Sequence, residues 1–131
     1  MTSRAVDWVR ALVRVEKVGE LPAAEAETAG RIVHVLFDLV IPRWFTPETP
    51  VRDITAQMLA VRTTVGAKVA QPVVVLEMVV RHALGEPVPV DDLDPYVLVQ
   101  AKAAIVSQYA HSVGLLDDEL DALLAAAEQA V

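Results

Sequence analysis

Polar side chains recur along this chain at helical spacing. Asp7, Arg10, Arg14 and Lys17 lie three, four and three residues apart in an otherwise apolar segment. That stripe predicts a first helix, with Gly19 placed to end it in a left-handed cap. Glu27, Arg31, His34 and Asp38 repeat the pattern and predict a second helix to Ile41, stopped by Pro42. A strand would alternate with a period of two, which neither stripe does. Residues 42–50 hold three prolines and the pair Trp44 and Phe45, and read as a loop. Thr49 as N-cap and Pro50 at the first helical position open a predicted third helix. It runs to Lys68 or Ala70, with Asp53, Gln57, Thr64 and Lys68 outward.

Pro72 opens a fourth helix to Leu84, closed by Gly85. Its segment 73–80 is β-branched enough for a buried strand, but Glu77 and Arg81, four apart, favour helix. Residues 85–95 carry alternating prolines that hold the chain near polyproline geometry, and read as an extended linker. Asp94 and Pro95 then cap a fifth helix that ends near Val113, with Gly114 as its stop. Asp117, Asp118 and Glu119 place negative charge in the first turn of a sixth, where the helix dipole favours it. Leu116, Leu120, Leu123, Leu124, Ala127 and Val131 form its apolar stripe. The fold class is therefore all-α: one compact bundle of about six helices with short joints marked by Pro and Gly. Residues 1–131 read as a single helical domain.

Composition changes this picture in one respect. Of 131 residues, 54% are hydrophobic, filled mainly by 24 Val, 20 Ala and 14 Leu, with only six aromatics. The helices carry apolar residues round more of their circumference than one small core requires, so either a second chain or a cavity is expected to use the surplus. No cysteine is present, which excludes disulfide scaffolds, zinc fingers and thiol nucleophiles, and fits a reducing, cytoplasmic setting. No signal peptide is recognisable, and the longest apolar runs, 32–41 and 73–80, are about half a membrane span.

The formal charge of −7 is uneven. Residues 1–50 carry six basic and seven acidic side chains, residues 51–85 four and two, and residues 86–131 only Lys102 against nine acids. The acidic last third disfavours phosphate backbones and anionic membranes, and suits a soluble protein partner or a basic patch on a sister subunit.

Candidate chemistry is sparse. His34 and Asp38 sit one turn apart, but a metal site needs further ligands from His82, His111 or Glu77, and the pair reads as part of a wet helix face. No cofactor or metal site is implied. Glu77 and Arg81 read as a buried ion pair at (i, i+4). No phosphate-binding glycine loop, nucleophile elbow or carboxylate–histidine array exists, so nothing argues for an enzyme. Ile54, Met58, Ala60 and Val65 resemble the core spacing of a helix-turn-helix, which would make residues 54–68 a DNA reader. Leu59 stands where that turn usually has Gly, and no basic cluster flanks it, so one continuous amphipathic helix is the better reading.

The expected function is thus a non-catalytic helical interaction or assembly subunit, paired with itself or another protein. Trp8, Val9, Leu12 and Val13, with Leu120, Leu123 and Leu124, are the expected interface, and Trp44 and Phe45 a secondary contact. The alternative is a small-molecule binder, because a Val- and Ala-rich interior without aromatics leaves space between helices.

Overall fold

The computed structural model describes residues 3–66 and 71–131. Among them the chain forms six α-helices and no strand: α1 Arg4–Val13, α2 Ala23–Trp44, α3 Val51–Val65, α4 Val73–Ala83, α5 Pro95–Val113 and α6 Asp117–Gln129. A 3-10 turn at Val90–Asp92 interrupts the stretch expected to be an extended linker. The ambiguous segment 73–80 is helical. The helix-turn-helix spacing lies within α3, which runs unbroken through Leu59. The expected end of α3 at Lys68 or Ala70 lies outside the described residues.

α5 is the axis of the bundle and packs against α1, α2, α3 and α4, while α6 closes against α2 and α1. Residues 103–110 of α5 are all buried. A helix enclosed on every side must be apolar all round, and Ala101, Ala103, Ala104 and Ala110 let its neighbours approach closely. Much of the apolar surplus noted in the sequence is consumed here. The core's largest fully buried side chains include Phe37, Ile32, Leu36, Met58 and Leu76.

Helix ends differ from expectation in three places. α1 stops at Val13, not near Gly19. Val15 adopts φ 59, its amide bonds to Leu12 O at 3.1 Å, and the Glu16 amide to Ala11 O at 2.8 Å. That pair of bonds is a Schellman cap, with valine in the left-handed position normally given to glycine. The same two bonds close α4 around Gly85, which has φ 94. Second, Pro42 does not stop α2, which continues to Trp44. Pro42 and Asp38 both face solvent, so the carbonyl that loses its donor stays accessible in the helix's last turn. Third, Pro50 rather than Thr49 is the N-cap of α3; the Thr49 hydroxyl instead accepts from the Thr46 amide at 2.9 Å. The expected cap of α5 is present, with Asp94 Oδ1 accepting from the Tyr96 amide at 2.8 Å.

Gln57 and Thr64, expected to face outward, turn toward α5. Gln108, 4% exposed, accepts from the Thr64 hydroxyl and donates Nε2 to Ser112 Oγ at 3.0 Å and Gln57 Oε1 at 3.3 Å. This is the polar seam of an otherwise apolar contact. Gln108→Ala is expected to cost about 1–3 kcal/mol, the penalty for stranding a buried hydrogen-bonding group, measured as a shift in urea midpoint at unchanged slope.

Part of the acidic end pairs with basic residues at the end of α1. Arg10 bonds Asp121 at 2.7 Å, and Arg14 bonds Asp117 at 2.9 Å and Leu115 O at 2.8 Å. The Asp121 hydrogen bond, the largest influence on it, raises the Arg10 pKa. Such half-exposed pairs add little stability, but they fix which face of α1 meets α6.

Candidate functional site

The interface residues expected from the sequence are mostly used inside the chain. Val9, Val13, Phe45, Leu120, Leu123 and Leu124 are buried, with Val9 and Leu124 at 0% exposure. Their packing in this chain is internal. α1 presents Ala5, Val6, Val9 and Val13 to three neighbouring helices at once, which is why its apolar residues occupy more than one face. Phe45 stacks on Trp44 with ring centroids 4.4 Å apart, and Trp44 meets the Tyr109 ring edge-on at 5.7 Å. These aromatics close the end of the bundle. Glu77 and Arg81 do not form a buried pair. Glu77 accepts from the Thr55 hydroxyl of α3, while Arg81 bonds Glu86 at 2.6 Å, just past the Schellman turn. That turn brings Glu86 back over the last turn of α4, nearer to Arg81 than Glu77 is.

Three of the nine, Trp8, Leu12 and Trp44, remain half-buried. Trp8 and Leu12 line one wall of a groove of about 490 Å³ between α1, α3 and α5. Val65 at the end of α3 and Val99 and Ala103 of α5 form its floor and far side. The segment after α1 forms the remaining wall, through Val15 and Val18. Trp8 Nε1 donates to Gly19 O at 2.8 Å and pins that segment beside the helix. The early end of α1 creates this wall: had the helix run on to Gly19, residues 15–18 would continue along its axis instead of turning across α5.

The polar atoms around the groove are largely engaged with one another. Ser107 Oγ donates to Ala103 O at 3.1 Å and Leu12 O at 3.3 Å, and Gln100 Oε1 accepts from Gln71 Nε2 at 2.8 Å. What faces the open space is therefore mainly hydrocarbon, with Glu16 and Lys17 at its margin. Val15 stands at that edge, 47% exposed, in a backbone conformation costly for a β-branched residue.

A second, more polar pocket of about 380 Å³ lies between α2, α4, the 3-10 turn and α5. It contains Asp38 and Lys102, and His34 stands beside it with Nδ1 3.0 Å from Lys102 Nζ. Burial lowers the His34 pKa, with Lys102 adding to the effect and Asp38 opposing it. Burial also lowers that of Lys102. Among the described residues no three His, Asp or Glu side chains converge as metal ligands, and no helix is long and apolar enough to cross a membrane. The sequence offered no sign of the Lys102–His34 contact, because 68 positions separate the two residues.

Comparison with protein-family models, with curated proteins and with solved structures finds no match in any of the three.

Proposed function

We propose that the chain is a small-molecule binding protein, and that the groove between α1, α3 and α5 holds an uncharged, largely hydrocarbon ligand. The observation that carries this reading is the combination of size and lining. A volume of about 490 Å³ lies within the range of about 300–1,000 Å³ typical of ligand pockets. The indole N–H of Trp8, the Ser107 hydroxyl and the Gln100 carbonyl oxygen are already bonded within the protein. A polar ligand would find few partners there, whereas an apolar one gains from burial alone.

The strained Val15 supports the same reading. Glycine would fill its position at lower cost, yet glycine would remove a methyl-bearing wall from the groove. Val15→Gly is accordingly expected to raise unfolding stability by about 1 kcal/mol while weakening ligand binding. Thermal melts and ligand titrations on the same samples check both directions.

The proposal is tested by titration with N-phenyl-1-naphthylamine, an uncharged aromatic probe that brightens in apolar surroundings. Saturable one-site binding, with energy transfer from Trp8, is expected. A probe signal that stays at the buffer level up to the probe's solubility limit would overturn the proposal.

A further inference from the structure

The pocket on the opposite side of α5 has a different chemistry. Leu98 and Lys102, four residues apart, lie about half a turn round the helix from the positions 96, 99, 103 and 107 that face the groove. Lys102 is the sole cation of residues 86–131 and is half-buried. Its Nζ lies 5.0 Å from the Phe37 ring centroid and 3.0 Å from His34 Nδ1. Among the described residues no carboxylate lies within ion-pair distance of it, although six ion pairs form elsewhere. An amine so placed, beside a proton acceptor and at the wall of a cavity, is the arrangement of a reactive lysine.

We propose that Lys102 is a nucleophilic amine that condenses with a small, uncharged aldehyde admitted to this pocket, forming an imine. The walls supplied by Phe37, Val79 and Leu98 suit a carbon-rich substituent. Asp38 and Asp91 line the same pocket and repel anions, so a neutral carbonyl is favoured over a carboxylate or phosphate. In the first step the Lys102 ammonium gives a proton to His34 Nδ1, whose neutral imidazole carries its own proton on Nε2. The free amine attacks the carbonyl carbon, the C–N bond forms, and the carbonyl π pair moves to oxygen. Proton transfer from nitrogen to that oxygen gives the neutral carbinolamine. His34 then returns its proton to the hydroxyl, the C–O bond breaks and water leaves. The balance is one aldehyde and one ammonium to one protonated imine and one water, with no external oxidant or reductant.

Burial lowers the pKa of Lys102, which favours its free amine, and also that of His34, which makes the imidazole a transient carrier that readily gives the proton back. The charged and titratable groups facing Lys102 are His34 and Asp38 from α2, His82 from α4 and Asp91 from the 3-10 turn. Of these, Asp38 raises its pKa and so opposes the effect of burial.

The test is reductive trapping of the full chain with benzaldehyde and cyanoborohydride at pH 7, followed by peptide mass mapping. The chain has three lysines, and exposed Lys17 serves as the internal reference. Lys102 is expected to acquire the benzyl group several-fold faster than Lys17. Leu98→Trp, which fills the pocket, is expected to slow Lys102 and leave Lys17 unchanged, and Lys102→Arg to remove the fast adduct while keeping the helical circular dichroism. Equal labelling of Lys102 and Lys17 in the unmodified chain would overturn the proposal. Because Lys17 lies at the margin of the groove, the labelling is repeated with the groove saturated by N-phenyl-1-naphthylamine, which separates this outcome from ligand binding there.

Discussion

Leu124→Ala is expected to destabilise the fold by about 2–5 kcal/mol, the range for removing a leucine from a close-packed core. Leu124 has 0% exposure, and its neighbours Leu123 and Ala127 on α6 are buried with it against α2 and α1. The substitution therefore opens a cavity that the surrounding helices can collapse into only in part. Equilibrium urea unfolding reads the change directly, and protein concentration separates two explanations. If Leu124 packs within one chain, the midpoint shifts equally at low and high concentration. If it anchored a second copy, the loss would depend on concentration, because association and stability are then linked. A concentration-dependent loss would return Leu120, Leu123 and Leu124 to the role of an interface.

Val18→Asp is expected to weaken binding of an uncharged apolar ligand by about tenfold or more, equivalent to about 1.4 kcal/mol. Val18 lies outside any helix, is half-buried, and forms part of the groove wall. A carboxylate there must lose hydration when an apolar ligand covers it, and the neighbouring Lys17, at the exposed margin of the groove, stays hydrated. The fold should tolerate the change, since the side chain contributes to a surface wall and not to the buried centre. Val74→Asp, at a position 62% exposed on α4 and away from the groove, serves as the reference and is expected to bind normally. Probe titrations of the two variants, with circular dichroism to confirm equal helix content, give the comparison. Equal affinities would remove the groove as the binding site.

The helical plan was legible because it rests on local chemistry. Asp94 before Pro95, Gly114 after Val113 and the acids at 117–119 specify helix ends within a few residues, and the structure uses all of them. The end of α1 was not legible. Gly19 is the residue a left-handed cap prefers, but the chain turns at Val15, against valine's intrinsic preference, and the Trp8 Nε1 bond to Gly19 O holds the following segment beside α1. Pro42 misled in the opposite sense, since a proline in an exposed last turn costs too little to end a helix.

The candidate sites were less legible for a related reason. Apolar residues on two faces of α1 admit either a partner or several neighbours in the same chain, and periodicity does not distinguish them. The pairing of Arg10 and Arg14 with Asp121 and Asp117 joins positions more than a hundred residues apart. The charge asymmetry that suggested a basic partner is met in part within the molecule. The Val- and Ala-rich composition led to an expectation of space between helices, and a groove lies between α1, α3 and α5. Its location depends on where residues 15–18 cross α5, which follows from the unanticipated cap.

The most direct test of ligand binding in the groove is backbone amide shift mapping of the folded chain during titration with N-phenyl-1-naphthylamine. Saturable shifts confined to the amides around Trp8, Leu12, Val18, Val99 and Ala103 are the expected result. Shifts absent at saturating probe, or centred on residues elsewhere in the bundle, would contradict it.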